Sequence, residues 1–303
     1  FEKEIAELRR AEFVEYERGS RWKLRFLKAA FRAFRRRELA AGTARAGQFT
    51  EYIAAQGHLL DAFAVYSALD EVLHKRDPGL WIWPDWPAEY QDPRLSGSRR
   101  FAEEHGQLVL FYKYVQWQLD LQLEQAQAHA RNGGLAIGLY HDLALATDRC
   151  GSDLWAHRDY YAHGCRVGAP PDAFSPKGQD WGFPPPKAEY HRLHGYEMFR
   201  ASIRNNCRHG GALRIDHVMR FFRLYWIPDG MDATQGAYVK DHAEDLLRIL
   251  ALESVRNRVI VVGEDLGTVE PEVREQLAKF GILSYRLLYF EKDWNEEFRL
   301  PHE

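Results

Sequence analysis

The sequence predicts an α/β fold that contains part of a (β/α)8 TIM barrel, although an open doubly wound sheet fits the same order of elements. Residues 133–303 alternate short apolar runs with helical patterns, which is typical of βαβ units around a buried parallel sheet. Three of the four predicted strands end in acidic side chains, at Asp142, Asp216 and Glu264. Barrels hold their ligand-facing groups at such strand ends, and no Gly-rich phosphate turn follows any strand, so the barrel is favoured.

Residues 1–132 are predicted to form a mainly helical segment. Helices are expected where apolar residues recur at three- and four-residue intervals, over 1–19, 22–40 and 51–75. A stretch rich in tryptophan, proline and glycine over 76–98 predicts a loop. A long helix follows from about Arg100 to Arg131, and the glycines beginning at Gly133 are expected to end it.

The second segment is predicted to hold the strands and the helices that connect them. Strands are expected over 134–145, 211–217, 258–266 and 282–290. Helices are expected over 188–209, 241–257 and 270–281. A long loop near 166–187 holds much of the chain's proline, and a loop of this length inside a compact domain is more often functional than idle.

Charge and cysteine content exclude several classes of protein. The chain has 41 basic and 44 acidic residues and a formal net charge of −3. This balance gives no electrostatic reason to expect binding to nucleic acid or to an anionic membrane. Its three cysteines show no disulfide or metal spacing, and a reducing cytoplasm is the simplest setting. No secretory signal or apolar run of about 18 residues is present, so no segment is expected to cross a membrane.

The stretch GALRIDH places charged groups at the end of a predicted buried strand. The strand period of two puts Arg214 and Asp216 on one face. The opposite face then carries Leu213, Ile215 and His217. An arginine beside a carboxylate keeps that carboxylate ionised, as a nucleophile requires. Taken alone, such a pair is more often a structural ion pair or a helix cap.

A second carboxylate follows the next strand, in VIVVGEDLG. Val262 and Glu264 share one face and Asp265 lies on the other, so Glu264 is expected to face the first carboxylate. Two such carboxylates are the minimum apparatus of glycoside chemistry, and a separation of about 5 Å favours retention of configuration. The structural alternative is that Asp265 caps the next helix and Glu264 pairs with Arg214.

Five separated motifs together resemble the 4-α-glucanotransferases called amylomaltases or disproportionating enzymes, the MalQ-type members of the wider α-amylase superfamily. In chain order they are GAPPDAFSPKGQDWG, GALRIDHVMR, RLYWIPDGMDATQGAYV, VVGEDLGTV and LLYFEKD. The resemblance covers most of the chain and is strongest from about Gly134 onward. It reverses the ion-pair interpretation of Asp216 and Glu264.

The resemblance implies a role for each candidate residue. Asp216 matches the nucleophile, Glu264 the general acid/base, and Arg214 the arginine that holds the nucleophile. Asp142 resembles the aspartate that binds the sugar in the cleavage subsite. Four loop residues fall where the family lines its acceptor subsites, namely Asp172, Phe174, Gln179 and Trp181.

The implied reaction is a retaining transfer between α-1,4-glucans that needs no cofactor or metal. Asp216 attacks the anomeric carbon while Glu264 protonates the departing glucan. Glu264 then acts as base while the 4-hydroxyl of an acceptor glucan or glucose attacks the glycosyl-enzyme. The implied partners are maltodextrins and breakdown products of starch or glycogen, with no nucleic acid and no membrane.

The resemblance also implies an internal fragment of a longer enzyme, truncated at both ends. The chain starts at Phe1, and the family's third aspartate, which follows a histidine on a later strand, has no counterpart before Glu303. Residues 1–132 would then be a helical insertion subdomain and 133–303 the catalytic barrel portion. The fragment by itself is expected to be inactive or nearly so.

Three other interpretations stay open at this point. The chain could be a non-catalytic glucan-binding fragment, or part of an α-glucan hydrolase, which shares the carboxylates and differs in acceptor binding. A metal-dependent hydrolase would use Asp142, Asp216, His217 and Glu264. The strand alternation argues against this metal site, because His217 should face away from Asp216.

Overall fold

The computed structural model describes residues 2–266 and 269–288 together with Lys292 and Phe298. The chain divides into two compact units, Phe1–Asp120 and Leu121–Glu303. Among the described residues, none of the helices combines the length and the hydropathy that a membrane span requires.

The first unit is helical, as the sequence predicts. Its helices are α1 Glu2–Arg10, α2 Tyr16–Phe34, α3 Ala44–Arg76, α4 Ser96–Glu104 and the start of α5 Gly106–Asn132. The prediction of one helix over 1–19 is wrong, because residues 11–15 leave the helical conformation. The helix expected from Arg100 is likewise two helices that meet at His105. Within α3, Gly57 interrupts the helix with φ +60°, a conformation that glycine adopts without steric cost.

Aromatic side chains form the core of the first unit. Phe31 and Phe34 of α2 are one helical turn apart, and both are buried against rings of other helices. The ring of Phe34 lies 5.1 Å from Tyr114, 5.4 Å from Trp117 and 5.6 Å from Phe49, measured between centroids. Burial of each such side chain stabilises the fold by about 1.5–3 kcal/mol, so this cluster accounts for the packing of α2, α3 and α5.

The second unit alternates strands with helices. Its strands are β1 Tyr140–Leu143, β2 Cys165–Ala169, β3 Gln179–Asp180, β4 Ala212–Ile215, β5 Arg223–Pro228, β6 Ala237–Lys240, β7 Ile260–Gly263 and β8 Leu283–Ser284. Its helices, after the end of α5, are α6 Ser152–His157, α7 Ala188–Leu193, α8 Glu197–Cys207, α9 Ala243–Asn257 and α10 Pro271–Lys279. The helix predicted over 188–209 is therefore two, and Gly195 and Tyr196, both with positive φ, separate them.

A parallel four-stranded sheet in the order β1-β4-β7-β8 confirms the predicted parallel α/β arrangement. The four strands lie at the four predicted places, although β8 is much shorter than the predicted strand. Positions 289 and 290 of that prediction lie outside the described residues. The register pairs Asp142 with Arg214 and Arg214 with Val262, so side chains from the three strands stand side by side.

One face of the parallel sheet packs against helices. Leu213, Ile215 and Val261 are buried in one cluster with Ile203 of α8 and Leu250 of α9. Because successive strand residues point to opposite faces, Arg214 points away from this core. The alternation predicted for GALRIDH is thus confirmed over the strand.

A second, antiparallel sheet in the order β3-β2-β5-β6 was not predicted. The expected loop near 166–187 is in fact anchored by β2 and β3, which pair with each other. Gly168 makes this pairing possible, since a Cβ there would lie 2.0 Å from the Gln179 carbonyl oxygen. The short β3 and the prolines around it concealed this pairing in the sequence.

Candidate active site

Arg214 joins the carboxylates at the ends of β1 and β4. Its Nη1 lies 2.6 Å from Asp142 Oδ1, and its Nη2 lies 2.9 Å from Asp216 Oδ1. The hydrogen bond to Asp142 is the main reason that the pKa of Arg214 is raised, so the guanidinium stays charged. Its Cζ also lies 5.4 Å from the ring centroid of Tyr285, within cation–π range.

These groups remain open to a substrate. The side chain of Asp216 is 38% exposed and that of Asp142 is 62% exposed, whereas Arg214 is mostly covered. A carboxylate with one oxygen bonded to an arginine and with access to solvent can still present its other oxygen to a ligand. The geometry therefore matches the predicted pairing of Arg214 with Asp216 on one face.

Glu264 is held by main-chain amides at the end of β7. Its Oε2 accepts a hydrogen bond of 3.0 Å from His217 N–H, and its Oε1 accepts one of 2.8 Å from Leu266 N–H. The alternative in which Glu264 pairs with Arg214 is not the arrangement observed. His217 follows Asp216 directly in the chain. The main-chain N–H that holds Glu264 therefore belongs to the residue next to the one that carries the other carboxylate.

His217 makes this arrangement possible by leaving the strand. Its backbone is left-handed, with φ 46° and ψ 63°, so β4 ends before it and its N–H turns towards Glu264. Burial lowers the pKa of the His217 ring, which is therefore neutral at pH 7.

Asp265 is separated from the site, as the alternation predicts. It is buried, and it accepts hydrogen bonds from Ser284 Oγ at 2.6 Å and from Tyr285 N–H at 3.2 Å. The alternative in which Asp265 caps α10 is wrong, because Glu270 holds that position. Asp265 instead ties the end of β7 to β8 and positions Tyr285 beneath Arg214.

Two of the four predicted loop residues lie beside the strand ends. The ring of Trp181 meets the ring of His217 edge-on, with 5.2 Å between centroids. Trp181 Nε1 donates a 3.1 Å hydrogen bond to Gln179 Oε1, and its ring also stacks on Phe183. Gln179 and Trp181 are thus placed together next to the residue that follows Asp216.

The other two loop residues, Asp172 and Phe174, shape the tip of the loop. Asp172 Oδ1 accepts hydrogen bonds from the N–H groups of Phe174 at 2.8 Å and Ser175 at 2.6 Å. The side chain of Phe174 is 89% exposed. Within the contacts of the described residues, neither side chain touches Asp216 or Glu264, so an acceptor-binding role for them stays a prediction.

Arg166 supports this loop, and sequence reasoning missed it. Its Nε lies 2.7 Å from Asp180 Oδ2, its Nη1 lies 2.8 Å from Asp229 Oδ1, and its Nη2 donates to Met231 O at 3.1 Å. No sequence signal marks this residue, because its partners are distant along the chain. It connects β2, β3 and the turn after β5.

The site combines one carboxylate fixed by a guanidinium with another fixed by two amides. Two carboxylates held in different environments are the groups that nucleophilic and acid/base catalysis use. Over residues 2–266 and 269–288, no group of three or more His, Cys, Asp or Glu side chains is arranged to hold a metal ion.

Comparisons with known proteins agree on one family. A family model described as 4-alpha-glucanotransferase matches residues 1–303. The chain is 40% identical to the 4-alpha-glucanotransferase of Mycobacterium bovis over 277 residues, which are 91% of this chain and 37% of the relative. It is 36% identical to that of Haemophilus influenzae over 289 residues, 94% of this chain and 41% of the relative. The chain thus spans less than half the length of these curated relatives.

Solved structures show the same likeness. The amylomaltase of Corynebacterium glutamicum matches with a TM-score of 0.73 and 32% identity, over 90% of this chain and 35% of the other. An amylomaltase from Streptococcus agalactiae, solved in complex with acarbose, matches with a TM-score of 0.77 at 18% identity, over 92% of this chain and 55% of the other. The second match supports the fold alone.

Proposed function

Because the chain belongs to the 4-alpha-glucanotransferase family, we propose that its protein transfers a segment of an α-1,4-glucan to the 4-hydroxyl of an acceptor glucan or glucose. The observation that carries this proposal is the strand-end cluster, in which Arg214 holds Asp216 while the chain at His217 holds Glu264. Each carboxylate thereby has a different environment, as a nucleophile and an acid/base require.

In the proposed reaction, Asp216 attacks the anomeric carbon and forms a covalent glycosyl-enzyme. The bond from that carbon to the leaving oxygen breaks, and Glu264 gives its proton to that oxygen. In the second half, Glu264 takes the proton from the acceptor 4-hydroxyl as that oxygen displaces Asp216 with net retention. Asp142 shares the guanidinium of Arg214 and is proposed to bind hydroxyl groups of the sugar in the cleavage subsite.

Transfer exceeds hydrolysis when an acceptor sugar occupies the site and excludes water. We assign this task to the loop, with Trp181 as a face for an acceptor ring and Gln179 as its hydrogen-bonding neighbour. Asp172 and Phe174 would extend the acceptor path along the loop tip. The aromatic ring beside His217 supports this assignment, because aromatic faces pack well against sugar rings.

We further propose that the parallel sheet is part of a (β/α)8 barrel. Its strands are adjacent in chain order and all parallel, as in a barrel, whereas a doubly wound sheet reverses its order at a switch point. Residues 1–132 would be the helical insertion and 133–303 the barrel portion. A cytoplasmic location is proposed from the free cysteines, which suit a reducing compartment.

The test uses the full-length protein and maltotriose. Transfer should yield glucose together with longer maltodextrins, and Asp216→Asn should lower the rate by at least about 10⁴-fold while maltotriose still binds. Glu244→Gln, which changes an exposed carboxylate on α9, serves as the matched control and should keep full activity. Glucose without longer products would indicate a hydrolase, and maltotriose binding without turnover would indicate a binding protein.

A further inference from the structure

A separate cavity of about 260 Å³ lies on the opposite side of the β1 strand end from the carboxylates. Leu143 lines it, whereas the preceding residue, Asp142, bonds to Arg214. Because neighbouring strand residues point to opposite faces, the cavity is on the α8 side of the sheet. At about 30 Å³ per water molecule, it has the volume of about nine waters, comparable with one six-membered sugar ring.

Arg220 lines this cavity, and its guanidinium is attracted by the Asp241 carboxylate but makes no salt bridge with it. Its Nη1 is 3.5 Å from Leu145 O, a long contact, and its Cζ lies 6.0 Å from the Phe199 ring centroid. Loss of hydration lowers the pKa of Arg220, and within the described residues no carboxylate forms an ion pair with it. A desolvated guanidinium without a strong acceptor is costly, so its position at a cavity wall points to a ligand acceptor.

Hydrogen-bond acceptors line the same cavity. His191 Nε2 is buried and has no partner among the described residues. Burial lowers the pKa of His191 to about 4, so the ring is neutral and one of its two nitrogens can accept a hydrogen bond. Asp153 also lines the cavity, and loss of hydration raises the pKa of its carboxyl.

Hydroxyl groups complete the polar lining. Tyr161 and Thr147 have their oxygens 3.4 Å apart, and Ser202 lines the α8 side. Donors and acceptors therefore both line a space that is otherwise walled by apolar side chains such as Phe199. An anion would satisfy the donors alone, whereas a compound with several hydroxyl groups satisfies both kinds of partner.

We propose that this cavity binds a neutral polyhydroxy compound of monosaccharide size, with Arg220 and Tyr161 as donors and His191 and Asp153 as acceptors. The site is distinct from the strand-end carboxylates and takes no part in bond cleavage. The proposal rests on the cavity and its lining, so it stands or falls independently of glucan transfer.

The test is a crystal structure of the full-length Asp216→Asn variant soaked with D-glucose, together with equilibrium titration of D-glucose. Glucose is expected in the cavity within hydrogen-bond distance of Arg220 and His191.

Arg220→Met should weaken the binding of glucose at this site by about tenfold or more, because it removes a charged donor. Ser202→Leu fills the cavity from α8 and should have the same effect. Arg204→Met, on the same helix as Ser202 but outside the cavity, should leave binding unchanged.

Three results would overturn the proposal. Glucose could be found at the carboxylates and not in the cavity. Both cavity variants could fold, judged by thermal unfolding, and bind glucose as the parent does. Inorganic phosphate could bind in an Arg220-dependent way where glucose does not, which would make the cavity an anion site.

Discussion

Replacing Arg166 with methionine should loosen the loop near 166–187 without moving the carboxylates at the strand ends. Methionine keeps much of the apolar stem and removes the guanidinium that bonds Asp180, Asp229 and Met231 O. Asp180 lies between Gln179 and Trp181, so its release should loosen the two residues proposed to bind the acceptor. Arg214, Asp216 and Glu264 have no contact with Arg166 and should stay in place.

The stability cost follows from these partners. The side chains of Asp180 and Asp229 are 41% and 62% exposed, so each ion pair contributes at most about 1 kcal/mol. The carbonyl contacts, to Met231 at 3.1 Å and to Pro228 at 3.4 Å, contribute about 0.5–1 kcal/mol each because they are partly solvated. Arg166→Met should therefore lower the free energy of unfolding by about 1–4 kcal/mol.

The assay measures disproportionation of maltotriose by the full-length protein, with glucose varied as acceptor. The KM for the acceptor should rise about three- to tenfold and hydrolysis should gain relative to transfer, while donor cleavage changes less than about twofold. Arg204→Met is the matched control, because Arg204 pairs with buried Glu253 between α8 and α9, away from the loop. It should cost a similar 1–3 kcal/mol of stability, roughly, since Arg256 still pairs with Glu253.

Two outcomes would refute this reasoning about Arg166. An acceptor KM that is unchanged in a folded Arg166→Met protein would show that the loop does not need the guanidinium. Equal rises of KM in Arg166→Met and Arg204→Met would show that lost stability, and not loop position, causes the effect.

Three further predictions concern the fold. Gly211→Ala should destabilise the second unit by more than about 2 kcal/mol in chemical denaturation, because its Cβ would lie 1.8 Å from Ile137 O. Gly47→Ala, with open space around its Cβ in α3, should stabilise by about 0.5–1 kcal/mol, and a loss there would contradict the argument. The Arg204 hydrogen bond is the main reason that the pKa of Glu253 is lowered in the folded protein. Its stabilisation is therefore present above the ordinary glutamate pKa of about 4.3 and is lost as pH falls below it. Glu253→Gln should flatten this acid decline in stability, and an unchanged pH profile would contradict the assignment.

The arrangement on β4 was predictable because a pleated strand leaves little choice. Once GALRIDH is a strand, Arg214 and Asp216 must share a face, and the core must take Leu213 and Ile215. The separation of Glu264 from Asp265 follows from the same rule. These features depend on local geometry alone.

The remaining features depend on contacts between distant residues. The left-handed backbone of His217 has no sequence signal, because residues other than glycine adopt this conformation uncommonly, and it turns the His217 N–H towards Glu264. The antiparallel sheet pairs β2 with β5, about 60 residues apart, and includes a two-residue strand that no periodicity test detects. Arg166 was missed for the same reason, because its partners come together only in the folded chain.

The left-handed turn at His217 also bears on how such a site can diverge. Glu264 accepts a hydrogen bond from the N–H of His217, the residue after Asp216, so its position relative to Asp216 depends on the main chain there. Side chains of the loop, which we propose bind the acceptor, can then be exchanged during evolution without changing that main-chain contact. Under the proposed function, the placement of the carboxylates would depend on the backbone at His217, and the choice of acceptor would depend on loop side chains that can be replaced.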